Sequence, residues 1–239
     1  MYTKIIFTGG ATKGFAYLGI LDYLEEHDLL KNFNEFVGCS IGAFMCLLVI
    51  LGYKSNILKK IFQDYDLDKL KEFKLYSLVD NYGLDSGKKV NNLIKTFLKI
   101  KNFNENITLK ELYIKTNKKL IVTVTKVNTK ETVYLDIQTE PDIPVWLAIR
   151  MSMNLPLIYS PVEYKNNLYV DGGLSNNFPM RYYYNYSTDD IQSVLCIRLN
   201  EVVNTTIINS FEDYLYNILK VSFHVIEKIF SLHHSHDDG

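Results

Sequence analysis

A serine between two glycines is the residue of this chain best placed to act as a nucleophile. Gly38-Cys39-Ser40-Ile41-Gly42 fits G-x-S-x-G, the nucleophile elbow, a sharp strand-to-helix turn that exposes a serine hydroxyl. An apolar strand over 34–38 precedes it, and the apolar run 43–51 that follows predicts a buried helix. Because this is the strand–turn–helix setting that an elbow needs, the sequence predicts that Ser40 is a catalytic nucleophile.

No histidine is in an obvious position to activate that serine. In a Ser-His-Asp hydrolase the histidine lies on a loop after a late strand. Here His27 ends the first predicted helix, His224 falls inside an apolar-periodic helix, and the other three histidines lie in the polar tail 233–239. The positions disfavour a triad but leave it open.

Asp171 is better placed than any histidine. Residues 168–171 read as a strand, and Asp171-Gly172-Gly173 ends it in a glycine turn. An acid at a strand end, flanked by small residues, can approach the end of another strand closely. The alternative is that Asp171 and Gly172 serve only as turn residues, as an Asp-Gly pair often does.

A glycine-rich turn near the N-terminus can hold negative charge. A predicted strand over 4–8 is followed by Gly9-Gly10-Ala11-Thr12-Lys13-Gly14, and a predicted helix then runs from about Lys13 to His27. Unpaired N–H groups at such a turn can bind a phosphate or the oxyanion of an acyl intermediate. The spacing disfavours nucleotide binding, because Lys13 precedes the last glycine of a would-be P-loop and Ala11 replaces the middle glycine of a dinucleotide fingerprint.

In this order, the glycine-rich loop, the elbow and the Asp-Gly-Gly turn resemble the signature of the patatin-like phospholipases. The resemblance covers about residues 3–200, with gaps, and includes the segments 144–156 and 162–179. It implies an α/β fold of three layers, α/β/α, with a mixed, largely parallel central sheet. The alternation of strands and helices in the first fifty residues independently favours this fold class.

The resemblance also implies a mechanism. Ser40 would be the nucleophile and Asp171 the base of a serine–aspartate dyad, and Gly9, Gly10 and Ala11 would supply the N–H groups of the oxyanion hole. The implied activity is hydrolysis of fatty-acyl esters of phospholipids through an acyl-enzyme, without a metal or another cofactor. A neutral-lipid lipase, a transacylase and a lipid-binding pseudoenzyme remain alternatives.

Two positions of the glycine-rich loop depart from the family pattern. Ala11 stands where the family most often has glycine, and Lys13 stands where many members have arginine. If residue 11 needs a positive φ, alanine costs about 1–2 kcal/mol there. Lysine keeps the charge of arginine but loses its bidentate fork.

The remaining chain predicts a single domain over 1–232 with a helical insertion at about 53–118 and a flexible tail at 233–239. Thr108 with Glu111 fits a capping box, and Ser86 is a second candidate cap. The insertion is expected to cover the mouth of the active site and shape the acyl pocket, or alternatively only to shield the sheet edge.

Three further elements are predicted after the insertion. Strands over 119–127 and 131–137 should form a hairpin, and 193–199 should form another strand. A helix over about 209–232 carries a broad apolar stripe. Its favoured interpretation is packing on the sheet of the domain, and the alternative is an interfacial helix that holds the protein on lipid.

The composition of the chain indicates which classes of binding partner and which cellular location to expect. The net charge of −1 gives no reason to expect nucleic acid, so the expected partner is a lipid substrate with peripheral membrane contact. The apolar run 41–51 is too short for a bilayer span, which needs about 20 residues, and the N-terminus lacks the pattern of a signal peptide. Three unpatterned cysteines favour an intracellular, cytoplasmic setting. The abundance of Lys, Asn, Ile and Tyr suits an AT-rich microbe or a large DNA virus.

Overall fold

The computed structural model describes residues 2–64, 72–199 and 207–234. The strands in these residues are β1 (Lys4–Phe7), β2 (Glu35–Cys39), β3 (Gly83–Asp85), β4 (Lys119–Lys126), β5 (Glu131–Leu135), β6 (Leu157–Tyr159), β7 (Val162–Tyr164), β8 (Asn167–Asp171) and β9 (Val194–Ile197). The α-helices are α1 (Tyr17–Glu26), α2 (Ile41–Ile50), α3 (Ser55–Asp64), α4 (Leu75–Asn81), α5 (Lys88–Ile100), α6 (Leu109–Thr116), α7 (Val145–Ser152), α8 (Gly173–Asn176), α9 (Thr188–Gln192) and α10 (Phe211–His234). Short 3-10 helices span Ala11–Ala16, Leu30–Asn32 and Pro179–Tyr183.

The central sheet is mixed. Its strands follow the order β7-β8-β4-β2-β1-β9, and β5 also pairs with β4. Neighbouring strands are parallel from β9 through β1 and β2 to β4, whereas β5, β7 and β8 join antiparallel. The predicted α/β class, the β4–β5 hairpin and the late strand β9 are confirmed.

The parallel strands β1, β2 and β4 are buried along nearly their whole length because both faces of the sheet are covered. Ile5 and Phe7 of β1 belong to the large core on the helical side, and Ile6 between them faces a second cluster with Tyr183. Successive side chains of a strand point to opposite faces, so an uninterrupted apolar strand requires a layer on each side. Helix α2 is buried nearly all round and lies on β2.

The segment 53–118 contains a strand as well as helices. β3 pairs in parallel with β6 in a separate two-stranded sheet, which the helical interpretation of this segment missed. The Thr108–Glu111 capping box is confirmed at the start of α6. The proposed Ser86 cap is wrong, because Gly87 occupies the N-cap of α5 with φ of 71° and donates its N–H to Asp85 Oδ1 at 2.7 Å.

The first predicted helix is split. Residues 11–16 form a 3-10 turn, and regular α-helix begins only at Tyr17, four residues later than the expected start at Lys13. A 3-10 helix is wound more tightly than an α-helix, so the chain between β1 and α1 follows a different path from that of a regular helix.

The last helix packs, but on a different surface from the one expected. Leu215 and Leu219 of α10 are buried with Leu84 of β3 and Ile158 of β6, so the helix lies on the small sheet and on α8. It continues to His234, so the tail predicted from residue 233 begins inside the helix, and residues 235–239 lie outside the described residues. None of the described helices is long and apolar enough to cross a membrane.

Candidate active site

Strand β4 brings Ser40 and Asp171 together. Strand β2 pairs with β4 up to Cys39, opposite Thr123, and β8 pairs with the next residue of β4, Val124, through Asp171. Since β2 runs parallel and β8 antiparallel to β4, their carboxyl ends meet at consecutive β4 positions. The Ser40 hydroxyl donates a hydrogen bond of 2.6 Å to Asp171 Oδ2.

The serine lies on a strained turn that glycine neighbours make possible. Ser40 has φ of 54° and ψ of −127°, a conformation rarely adopted by a residue with a side chain. A Cβ on Gly38 would overlap the backbone of Ala43, and one on Gly42 would overlap the carbonyl of Phe7. Both glycines of the elbow are therefore required by close backbone approach.

The carboxyl group of Asp171 is almost fully desolvated. Its exposed fraction is 1%, and burial raises its pKa to about 7, although hydrogen bonds from the Ser40 hydroxyl and the Gly173 N–H act in the opposite direction. The Gly173 N–H donates to Oδ1 at 2.8 Å, which leaves Oδ2 for the serine. Gly172 is needed beside it, because a Cβ there would overlap the Thr123 carbonyl. A carboxyl with a pKa near 7 suits a general base at neutral pH.

The end of α7 supports both strand ends, a role that the sequence analysis did not assign. The Ser40 N–H donates to Ser152 Oγ at 2.8 Å, and that hydroxyl donates to the Thr123 carbonyl at 2.6 Å. Two residues later, the Asn154 carbonyl accepts the Asp171 N–H at 2.8 Å. In the sequence, the segment 144–156 is distinguished only by its resemblance to the family pattern. Its hydrogen-bond partners lie far away in sequence, so no local signal reveals them.

The glycine-rich loop lies directly beside the serine. A Cβ built on Gly9 would lie 3.2 Å from Ser40 Cβ, and the Asn177 side chain donates to the Gly9 carbonyl at 3.4 Å. Ala11 has φ of 49°, so this position does adopt the left-handed conformation that favours glycine. Gly14 packs against Ile41 of the elbow, where a Cβ would clash.

The glycine-rich loop continues through Thr12 and Lys13. Both residues belong to the 3-10 turn, and Lys13 is one of the residues that line the cavity described next.

A cavity of about 90 Å³ opens over Ser40 and Asp171. Two sets of residues line it, one from the strand ends and loops and one from α10. The first set is Gly9, Gly10, Ala11, Lys13, Ser40, Leu155, Asp171, Gly173, Asn177 and Leu199. The second set is Tyr216, Lys220, Phe223 and His224. The expectation that the 53–118 segment covers the mouth is wrong for its described residues, because none of them lines the cavity, whereas residues of α10 do. Leu84 of that segment packs against α10 instead.

One histidine does reach the cavity. His224 lines it from α10, whereas His27 hydrogen-bonds the Tyr23 carbonyl at the exposed end of α1. The hydrogen bond of the Ser40 hydroxyl goes to Asp171 and not to a histidine. Within the described residues, His, Cys, Asp and Glu side chains form no group of three that could hold a metal ion.

Comparison with known proteins places this geometry in context. A family model described as patatin-like phospholipase matches residues 5–183. The protein named "Probable lipid hydrolase 463L" of Invertebrate iridescent virus 6 is 31% identical over 182 residues, which is 75% of this chain and 62% of that protein. Triacylglycerol lipase 4 of Saccharomyces cerevisiae is 28% identical over 214 residues, which is 74% of this chain and 22% of that protein.

A solved structure shows the same fold. VipD from Legionella pneumophila aligns with 82% of this chain and 49% of its own, with a TM-score of 0.60 and 17% sequence identity. The expected fold class is thereby supported a second time. This chain spans less than two thirds of the length of each of these three proteins.

Proposed function

This chain belongs to the patatin-like phospholipase family, and on that premise we propose that it hydrolyses fatty-acyl ester bonds of phospholipids through Ser40 and Asp171. The observation that carries the proposal is the 2.6 Å hydrogen bond from the Ser40 hydroxyl to a buried carboxyl whose pKa is raised to about 7. A nucleophile on a strained elbow, paired with a base that titrates near neutrality, is the arrangement that acyl transfer needs. The reaction calls for no cofactor.

The first half of the reaction forms an acyl-enzyme. Ser40 Oγ attacks the ester carbonyl carbon while Asp171 takes the hydroxyl proton, and N–H groups of Gly9, Gly10 and Ala11 stabilise the oxyanion. Collapse of the tetrahedral intermediate breaks the bond to the lipid alcohol. Asp171 returns the proton to that alcohol, so the lysophospholipid leaves neutral at the cleaved oxygen.

The second half releases the fatty acid. Asp171 takes a proton from water, and the resulting nucleophile attacks the acyl-enzyme carbonyl. The intermediate expels Ser40 Oγ, which regains the proton from Asp171. The net change is one ester and one water converted to one alcohol and one acid, with the enzyme restored.

Other acyl-transfer activities share this chemistry. The yeast relative is named as a triacylglycerol lipase, so a neutral lipid is the second candidate substrate. A transacylase would differ only in the acceptor that replaces water. A lipid-binding pseudoenzyme would keep the cavity without turnover, and the complete dyad geometry argues against it.

Membrane contact belongs to the same proposal, with the outer face of α10 as the contact surface. Five exposed apolar side chains lie along one stripe of this helix, at spacings of three and four residues: Phe211, Tyr214, Ile218, Val221 and Val225. Residues two positions apart, such as Tyr214 and the cavity residue Tyr216, point about half a turn apart. The stripe therefore faces away from the cavity while its helix forms the cavity wall, as expected of a segment that rests on lipid and borders the entrance.

Substitution of the stripe tests the membrane contact. The double variant Ile218→Asp with Val225→Asp should lose binding to phosphatidylcholine–phosphatidylglycerol vesicles in sedimentation while it retains turnover of a water-soluble short-chain ester. Ile114→Asp, which changes an exposed apolar residue of α6, is the matched control and should still bind. Vesicle binding that survives the double substitution would contradict the assignment of this surface.

Fatty-acid release is the direct test of hydrolysis. Wild-type protein should release fatty acids from mixed phospholipid vesicles, as measured by mass spectrometry, and Ser40→Ala should reduce the rate by several powers of ten. A fluorophosphonate should label Ser40 in the wild type only. Equal release by both proteins would overturn the role of Ser40, and a wild type that neither reacts nor releases acid would favour the pseudoenzyme.

A further inference from the structure

Two lysines from different parts of the chain line the cavity. Lys220 and His224 of α10 are about one helical turn apart and both line the cavity, and Lys13 of the glycine-rich loop lines it as well. Among the described lining residues the acid is Asp171, which is buried and already accepts the serine hydroxyl. A ligand that enters the cavity meets these three residues beside Ser40 and Asp171.

The position of Lys220 is supported by an aromatic neighbour. Its Nζ lies 4.7 Å from the centroid of the Tyr216 ring, within cation–π distance, and Tyr216 is itself a lining residue. A side chain supported in this way loses less conformational freedom when it binds a ligand. Lys228, two turns further along the same helix, is exposed and is not a lining residue.

The helix that carries these groups lies beyond the part of the chain that matches the family. The family model ends at residue 183, and α10 begins at Phe211. The strand ends and loops that hold the dyad lie within the match. Lys220 and His224 therefore lie outside the part of the chain that shows family membership.

We propose that Lys220 and His224, with Lys13, form a subsite that binds the phosphate of a phospholipid headgroup. The proposal rests on the proposed function, because it places the phosphate beside an acyl ester that Ser40 attacks. A phosphate has several anionic oxygens that can accept from donors on two elements, and lysine is a common point-charge partner for it. A triacylglycerol has no anion to offset the desolvation of these lysines.

The volume of the cavity is consistent with a site that holds the ester and the phosphate of a phospholipid but not its acyl chains. A volume of about 90 Å³ is well below the roughly 300–1,000 Å³ of pockets that enclose a whole drug-sized ligand. It accommodates the polar centre of a lipid, where the ester and the phosphate are a few covalent bonds apart. On this proposal the acyl chains extend outside the cavity.

Binding in a background without turnover tests the subsite. Ser40→Ala would be titrated by calorimetry with dihexanoylphosphatidylcholine and, separately, with dihexanoylglycerol, both below their micelle concentrations. Adding Lys220→Gln should raise the Kd for the phosphatidylcholine by about tenfold, the usual cost of losing a charge-assisted hydrogen bond, and should affect the diacylglycerol much less. Lys220→Arg should restore most of the affinity because it restores the charge.

Lys228→Gln is the matched control. It removes the same charge from the same helix, so an effect of overall charge would appear equally in both variants, whereas the subsite predicts an effect of Lys220→Gln alone. Equal effects of the two substitutions, or equal weakening for both lipids, would overturn the proposal. Binding of inorganic phosphate as tight as that of the phosphatidylcholine would also overturn it, because the site would then bind a free anion.

Turnover separates this proposal from the proposed function. Lys220-dependent binding, together with no fatty-acid release by the protein that retains Ser40, would support the headgroup subsite and overturn hydrolysis. Release without any dependence of binding on Lys220 would support hydrolysis and overturn the subsite.

Discussion

The two sides of the cavity are built differently. On the side of the proposed dyad, strand pairing and buried hydrogen bonds place Ser40 and Asp171. Both lie at the ends of strands paired to β4, and the Ser152 hydroxyl and the Asn154 carbonyl accept their N–H groups. On the opposite side, a single helix contributes side chains that are half-exposed, or in the case of His224 exposed. The first side lies within the family match and the second lies outside it.

The difference has a physical basis. Acyl transfer needs atoms held within a few tenths of an ångström, which strand pairing and buried hydrogen bonds provide. Lipid recognition needs charged side chains for the headgroup and apolar side chains for the acyl chains, and a helix can supply both. Substitutions on the dyad side should therefore change chemistry and stability together, and substitutions on α10 should change substrate preference and membrane binding.

Removal of the base should give the largest effect. Asp171→Asn keeps the shape and can still accept the Gly173 N–H, but it cannot take a proton from Ser40. Turnover of a short-chain ester should fall by about 10⁴-fold or more, measured as kcat in a continuous assay. A loss of less than tenfold would show that another group serves as the base and would direct attention to His224 across the cavity.

The same substitution should stabilise the protein in a pH-dependent way. Burial raises the pKa of Asp171 from 3.8 to about 7, so the folded state binds this proton more tightly than the unfolded state. The stability contributed by the group is complete below about pH 4 and is lost as the pH rises through about 7. The Tm difference between Asp171→Asn and wild type should grow over that range and then level off. A constant difference would contradict the raised pKa.

The pH dependence of turnover reports the same group. Because the base must be ionised, log kcat/KM of the wild type should rise with pH and level off above about 7. A plateau that already extends down to pH 5 would show that the carboxyl titrates near its ordinary pKa in the free enzyme.

The support from α7 should matter less than the base but should be measurable. Ser152→Ala leaves the partly buried Ser40 N–H without its acceptor, which should lower the free energy of unfolding by about 1–3 kcal/mol and lower kcat by displacing the elbow. Ser160→Ala is a matched comparison, because the Ser160 hydroxyl is buried and has no hydrogen-bond partner among the described residues. Its removal should be nearly neutral in urea unfolding, and a similar loss for both would contradict the supporting role of Ser152.

The smallest expected effect concerns the glycine-rich loop. Ala11 has φ of 49°, so Ala11→Gly should raise the free energy of unfolding by up to about 1 kcal/mol through relief of left-handed strain. Ala16→Gly, at an exposed right-handed position of the same segment, should lower it by about 0.5–1 kcal/mol. Equal signs for the two substitutions would show that strain at residue 11 is not significant.

Elements with local signals were predictable. The elbow, the glycine-rich turn and the Asp-Gly-Gly turn depend on glycines at fixed spacing, and the Thr108 capping box depends on a residue three positions away. The β4–β5 hairpin joins neighbours in sequence. In each case the physical cause lies within a few residues, so the pattern is visible in the chain itself.

Elements with distant partners were not predictable in the same way. Ser152 acts on Ser40 from 112 residues away, and β3 forms a sheet only because β6 lies beside it. The strand β3 has three residues, too few to show an alternating pattern. His224 looked like one more residue of an apolar-periodic helix until the helix was placed against the cavity.

The sequence by itself determined which residues form the elbow, the loop and the acidic turn, because close backbone approach leaves glycine as the tolerated neighbour at each. It also indicated that this chain is an α/β protein, because strands and helices alternate along its first fifty residues. Only the tertiary structure decided that β4 aligns Ser40 with Asp171, that burial raises the pKa of that carboxyl, and that α10 forms the opposite wall. These features depend on pairing, desolvation and packing between segments far apart in the chain, which a local pattern does not encode.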